Sequence, residues 1–309
     1  MAFPTDVPVI DTMIGFPTSG SSQYDFIRKQ LKDDESKDFE FPAQYMFKHV
    51  PNDMRTEDNP VGVTLGEMDR FNIRVGMIGC ADPVSQAALK EFPDRFVAAT
   101  TLRDPNRVME SLRQIEQEHE QWDTRAVTAF PSGTFPQVAI NDKKMYPIYA
   151  KCVELDLPIF CCAGVPGPRL KFEPQRVELI DEVMYDFPEL TFVTRHGCEP
   201  WQDLAVKLLL KWPGLHYSTS AFLPKYYPKA IVDFANTRGA DKIIYAGYFP
   251  MGVTLERIFG DMPQVQFRDH VWPKFLYQNA ARVLKINDAD RFGAVAQSPA
   301  AAETAAVAG

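Results

Sequence analysis

Cysteine is scarce in this chain and unpaired in pattern. The five cysteines, Cys80, Cys152, Cys161, Cys162 and Cys198, are odd in number and never fall at C-x-x-C spacing. That pattern argues against a disulfide framework and against a zinc knuckle, and fits a reducing cytoplasm. There is no dense basic block either: Lys and Arg are scattered in a chain of formal net charge -8. Neither nucleic acid nor an anionic membrane is therefore an expected partner. No run approaches the roughly 18 apolar residues of a membrane span. The N-terminus, Met1-Ala2-Phe3-Pro4-Thr5-Asp6, lacks the basic and apolar regions of a secretory leader. The expectation is a soluble cytoplasmic protein whose partner is a small molecule.

What the sequence does contain is alternation of short β-rich runs with longer amphipathic stretches, the pattern of parallel strands joined by helices. Eight strands are predicted: Val7 to Ile14, Ile73 to Gly79, Phe96 to Thr101, Ala126 to Phe130, Pro158 to Cys162, Thr191 to Thr194, Leu215 to Thr219 and Ile243 to Ala246. Most are nearly continuous apolar runs, as strands covered on both faces must be. Helices are predicted after Asp82-Pro83 and after Asp104-Pro105, over Pro174 to Phe187 and Trp201 to Trp212, and from about Lys229 to Gly239. The predicted fold is a single (β/α)8 TIM barrel over residues 1–293. Residues 15–72 contain an insertion after the first strand that reads as a lid or partner surface. Residues 294–309, rich in Ala, read as a disordered tail.

Several segments resemble the amidohydrolase 2 family over roughly residues 7 to 286. They are Ile10-Asp11-Thr12-Met13-Ile14-Gly15, Phe92-Pro93-Asp94-Arg95-Phe96-Val97, Leu157-Pro158-Ile159-Phe160, Thr194-Arg195-His196-Gly197, Ala246-Gly247-Tyr248-Phe249-Pro250 and Asn279-Ala280-Ala281-Arg282-Val283-Leu284. The resemblance implies a barrel hydrolase or decarboxylase of small aromatic or dicarboxylic acids, commonly dimeric, with five metal ligands at the strand ends. Carried over position by position, it places Met13 and Gly15 where strand-one histidines belong and Cys162 at the strand-five histidine. His196 matches the strand-six histidine, and Tyr248 replaces the aspartate that serves as ligand and base. One ligand of the five is kept. The expected cofactor is therefore none, with a divalent metal such as zinc at a degenerate Cys and His site as the alternative.

Strand C-terminal ends carry the site in a barrel of this kind. His196 is the candidate acid/base, and Tyr248 a proton or oxyanion donor or, alternatively, an aromatic plug. Glu199 is a second candidate base, or a carboxylate complementing a helix dipole. Asp11 is either catalytic or a brace on the strand end through backbone amides. Arg103, Arg169 and Arg195 are the candidate clamp for a substrate carboxylate. Cys162, Met13 and Tyr226 complete the expected substrate walls. The expected activity is metal-independent hydrolysis or decarboxylation of a small carboxylate-bearing, acyl or aromatic substrate by a homodimer. The competing readings are a non-catalytic barrel that binds a metabolite or partner, and a hydrolase with a Cys and His metal site.

Overall fold

The computed structural model describes residues 3–18, 24–48 and 50–286. Eight parallel strands run in chain order, each hydrogen-bonded to the next: β1 (Val9–Asp11), β2 (Ile73–Gly79), β3 (Phe96–Thr101), β4 (Ala126–Ala129), β5 (Ile159–Cys162), β6 (Phe192–Arg195), β7 (Leu215–Ser218) and β8 (Ile243–Ile244). With helices between them they form the expected (β/α)8 barrel. The expected tail, residues 294–309, lies outside the described residues.

Strand alternation divides the apolar residues into two cores. Ile10, Val75, Met77, Val97, Ala99, Ala126, Phe160, Val193 and Ile244 point inward and pack with one another. Ile78, Ala98, Val127, Cys161, Phe192 and Tyr217 point outward under the helices. The same parity carries the last inward position of four strands to the C-terminal mouth: Thr101 on β3, Thr128 on β4, Cys162 on β5 and Arg195 on β6. Apolar layers therefore fill the barrel below, and polar side chains end it above.

The helices start where local chemistry stops the loops. Asp82 caps the helix Pro83–Glu91 by accepting from Ser85 N, and Asn59 caps Pro60–Arg70 by accepting from Gly62 N. That second helix is the β1–β2 crossover, so the extra segment ends near residue 59 rather than at 72. The stretch from Pro174 holds a shorter helix than its spacing suggests. Arg176 adopts extended backbone (φ -62, ψ 132) after a 3-10 turn, and the helix spans only Leu179–Asp186.

Strand eight is also shorter than predicted. After Ile244 the chain leaves the ladder and Tyr245 N donates to Phe275 O at 2.9 Å. The seam back to β1 is made by other groups. Thr12 Oγ1 donates to Tyr245 O at 2.9 Å, Gly247 N to Asp11 Oδ1 at 2.8 Å, and Gly15 N to Phe249 O at 2.9 Å.

The insertion folds across the mouth through short helices, Asp25–Arg28 and Asp34–Asp38. Two attachments reach loops outside it, and a third ties its end to its own start. Gln30 Nε2 donates to Gly133 O at 2.5 Å, Tyr45 Oη to Gly167 O at 2.6 Å, and Thr56 N to Pro17 O at 2.8 Å. No helix among the described residues is long and apolar enough to cross a membrane.

Candidate functional site

A cavity of about 380 Å³ opens at the C-terminal mouth on the β1 to β4 side. Its walls include Met13, Ile14, Phe16 and Met77, with Thr12, Thr101 and Thr128 among them; Tyr24, Phe26 and Arg55 come from the insertion. Arg195 reaches it from β6 because Val193, two residues earlier, faces the barrel axis. The size suits a small organic molecule.

Arg195 has no acidic partner among the described residues, and its Nε is buried without a hydrogen bond. Arginine carries its charge at all ordinary pH and presents a donor fork. A buried Nε left without an acceptor costs stability in the free protein, and an anion entering the cavity would relieve it. Among the described residues, Arg195 and Arg55 are the only charged ones on the cavity wall.

His196 follows at the strand end in left-handed backbone (φ 65). Its N–H donates to Ser220 Oγ at 3.1 Å, and the same hydroxyl lies 3.2 Å from Nδ1. With the serine oxygen accepting from the backbone, its proton is free to point at Nδ1, which leaves the ring proton on Nε2. Desolvation, reinforced by the Arg195 charge, pushes the His196 pKa down to about 3. The imidazole is neutral at pH 7 and a weak base.

Tyr248 packs edge-on to His196 at 5.7 Å and stacks on Phe47 at 5.7 Å, with Phe41 at 6.0 Å. Two insertion rings thus hold the phenol beside His196. Desolvation raises its pKa well above the usual range, and its charge interactions are with Tyr24, Cys162 and Arg195. A phenol in that state keeps its proton.

The structure brings together Met13 and Arg195 on the cavity wall, and His196 with Tyr248 beside it. Cys162 pairs in register with Arg195, and burial pushes its thiol up to about 11, so it is no ready thiolate. The expected three-arginine clamp is not assembled. Arg103 is bound to Glu118 at 3.2 Å on an outer helix. Arg169 is bound to Asp33 at 2.6 Å and Glu35 at 2.8 Å, with its guanidinium over Tyr45. Tyr226 is 60% exposed under Lys225, away from the cavity. Glu199 sits in the turn after β6, where its carbonyl accepts from Val165 N at 2.8 Å, and it does not line the cavity.

Asp11 is fully buried, with Oδ1 accepting from Met13 N at 2.9 Å as well as from Gly247 N. It braces the seam. Burial, opposed by those two bonds, pushes its pKa up to about 6. Its Oδ2 and the Tyr245 hydroxyl are both buried without a hydrogen bond of ordinary geometry.

The family model for amidohydrolases matches residues 33–286. The chain belongs to the amidohydrolase family. Solved structures share the fold at low identity. An uncharacterized TIM-barrel protein from Bordetella bronchiseptica has TM-score 0.70 and 23% identity, over 90% of this chain and 99% of that one. The 2,6-dihydroxybenzoate decarboxylase from Rhizobium has TM-score 0.64 and 13% identity, over 91% and 100%. A dihydroxybenzoic acid decarboxylase from Polaromonas, solved with manganese and the inhibitor 2-nitroresorcinol, has TM-score 0.64 and 14% identity, over 93% and 99%. No curated protein sequence matches this one.

This amidohydrolase gathers, among its described residues, no full set of the side chains a divalent ion needs. Among the described residues, no three His, Cys, Asp or Glu side chains gather as a donor set. Of the positions that would ligate, Met13 and Gly15 supply no hard donor, and the Arg195 charge lies beside Cys162 and His196. His196 alone cannot hold an ion.

Arg55, Thr101 and Thr128 are among the cavity residues that were not anticipated. Arg55 lies in the insertion, where no periodicity marks a facing. Thr101 and Thr128 join through their hydroxyls at 3.1 Å, and strand parity from Val97 and Ala126 would have placed both inward.

Proposed function

We propose that this amidohydrolase takes a small carboxylate-bearing, acyl or aromatic molecule into the barrel mouth and hydrolyses or decarboxylates it without a metal ion. The observation that carries this reading is Arg195, an unpaired guanidinium aimed into a cavity of ligand size. It would bind the substrate carboxylate and, as charge develops on an oxygen, stabilise it electrostatically, the task an ion performs elsewhere. Tyr248, always protonated, and the Nε2–H of His196 are the proton-bearing groups beside it. The walls from Met13, Phe16 and Met77 suit an aromatic or aliphatic body. The aromatic-acid decarboxylases among the structural relatives support the same substrate class.

A second reading, a non-catalytic binder, is favoured by one observation: Tyr248 is wedged between His196 and two insertion rings. The readings separate in one experiment. Benzoate and 2,6-dihydroxybenzoate are titrated calorimetrically into chelator-treated wild type and Arg195→Gln, and products are followed by chromatography. Binding without metal that weakens at least about tenfold in the variant supports the carboxylate site. Product formation then makes it an enzyme and its absence a binder. Binding that needs added zinc or manganese overturns the metal-free account.

A further inference from the structure

One side chain ties the first part of the insertion to the barrel cores. Its buried residues Ile27, Leu31, Phe39, Phe41 and Ala43 belong to neither core, and between residues 24 and 48 Phe47 alone, among the described residues, packs against one. The ties to the loops after β4 and β5 rest on polar groups: Gln30 on Gly133 O, Tyr45 on Gly167 O, and the Arg169 pairs with Asp33 and Glu35. Exposed ion pairs of this kind hold weakly. Phe47 stacks on Tyr248 at 5.7 Å with an interplanar angle of 20°, and Gly252 packs against both rings. A Cβ at Gly252 would fall 2.8 Å from the Phe47 ring and 3.0 Å from the Tyr248 ring, so only glycine leaves room for the stack. Tyr248 in turn sits edge-on to His196, and Phe41 bridges from Tyr248 to Tyr24 on the cavity wall, at 6.0 Å and 5.5 Å. These rings form a partition. Arg195 lines the cavity, and His196, next in the chain, does not.

We propose that the insertion is an autoinhibitory strap that shuts His196 off from the ligand cavity. With Phe47 seated, Tyr248 is pinned against the imidazole; with Phe47 released, Tyr248 can turn to another rotamer and the cavity extends to His196. The wedge at Tyr248 is then the closed state of the site rather than its permanent form. An element held by one apolar contact and a few exposed polar ones belongs to the low-stability end of a fold, where local opening occurs without global unfolding. The strap holds for a binder as well as for an enzyme, and it does not depend on Arg195.

The test is the rate at which diethyl pyrocarbonate modifies each histidine of the whole chain at pH 7.5, where imidazoles are neutral, read by peptide mass spectrometry. Exposed His270 gives the unhindered rate, and His216, 8% exposed on β7, reports global opening. In wild type His196 should react at least about tenfold more slowly than His270. Phe47→Ala, which removes the ring, and Gly252→Ala, which crowds it, should each raise the His196 rate at least about tenfold and leave His216 unchanged. A His196 rate equal to that of His270 in wild type, or unchanged in either variant, would overturn the strap. A parallel rise at His216 would overturn it too, because the ring would then serve the fold as a whole. None of these outcomes touches the reading of Arg195.

Discussion

Asp11 and Gly247 join the two ends of the barrel: the Gly247 N–H donates to Asp11 Oδ1 at 2.8 Å where, among the described residues, no ladder links β8 to β1. The bond explains why a carboxylate is tolerated at zero exposure. Burial, which outweighs that bond, fixes the sign of a pH effect. With the folded pKa raised from 3.8 to about 6, protonated Asp11 favours the native state fully below pH 3.8, and that contribution is lost as pH rises through about 6. A shift of this size is worth about 3 kcal/mol.

Asp11→Asn should therefore be as stable as wild type or more so at pH 7.5, since the amide oxygen still accepts both N–H groups. Its stability should also vary less between pH 4 and 6. Asp11→Ala should lose about 1–3 kcal/mol, because two buried N–H groups lose their acceptor. Urea unfolding across pH 4 to 8 checks both. An Asn variant as unstable as the Ala variant would contradict the brace. Gly247→Ala should be strongly destabilising by the same measurement, because its Cβ would fall 2.5 Å from Asp11 Oδ2.

His196 and His216 act in the opposite direction. Both are pushed down to about 3, chiefly by desolvation. The unfolded chain then binds protons that the native state refuses, and stability falls as pH drops below 6.5 toward 3. Proton NMR of the imidazoles should show neither ring titrating between pH 5 and 8. A midpoint near 6.5 for His196 would restore it as an ordinary acid/base.

Arg169 fastens the insertion rather than a substrate. Arg169→Ala should raise hydrogen exchange in residues 33–47 and change global stability by less than about 1 kcal/mol, since the ion pairs are largely exposed. Salt should mimic the substitution in wild type. Unchanged exchange in that segment would refute the fastening role.

Arg195 predicts the separation of function from stability. Arg195→Met removes an unsatisfied buried group and should leave the protein as stable or up to about 1–3 kcal/mol more stable, while benzoate binding is lost. A large loss of stability would mean that the guanidinium serves the fold.

The barrel was legible because strands covered on both faces leave continuous apolar runs, and all eight appeared in order. Their ends were less so. Strand eight looked four residues long in Ile243-Ile244-Tyr245-Ala246, but Tyr245 N bonds to Phe275 O, a tertiary partner without a local signature. At the site, matching family positions drew attention to His196, whereas counting by twos from Val193 marks Arg195 as the inward residue. Asp11 accepts from the backbone N–H groups of Met13 and Gly247, the second of them 236 residues away in sequence and without a local signature. Arg103 and Arg169 resembled clamp residues because sequence does not reveal that Glu118, Asp33 and Glu35 meet them first. Arg55 lay in a segment with no period to read.

The most direct test of the account is a crystal structure of the protein grown with benzoate and manganese together, with anomalous data collected for the metal. The account predicts a carboxylate within hydrogen-bond distance of the Arg195 guanidinium and no anomalous peak at His196. A manganese ion coordinated by His196 and the carboxylate, with Arg195 turned away, would contradict it.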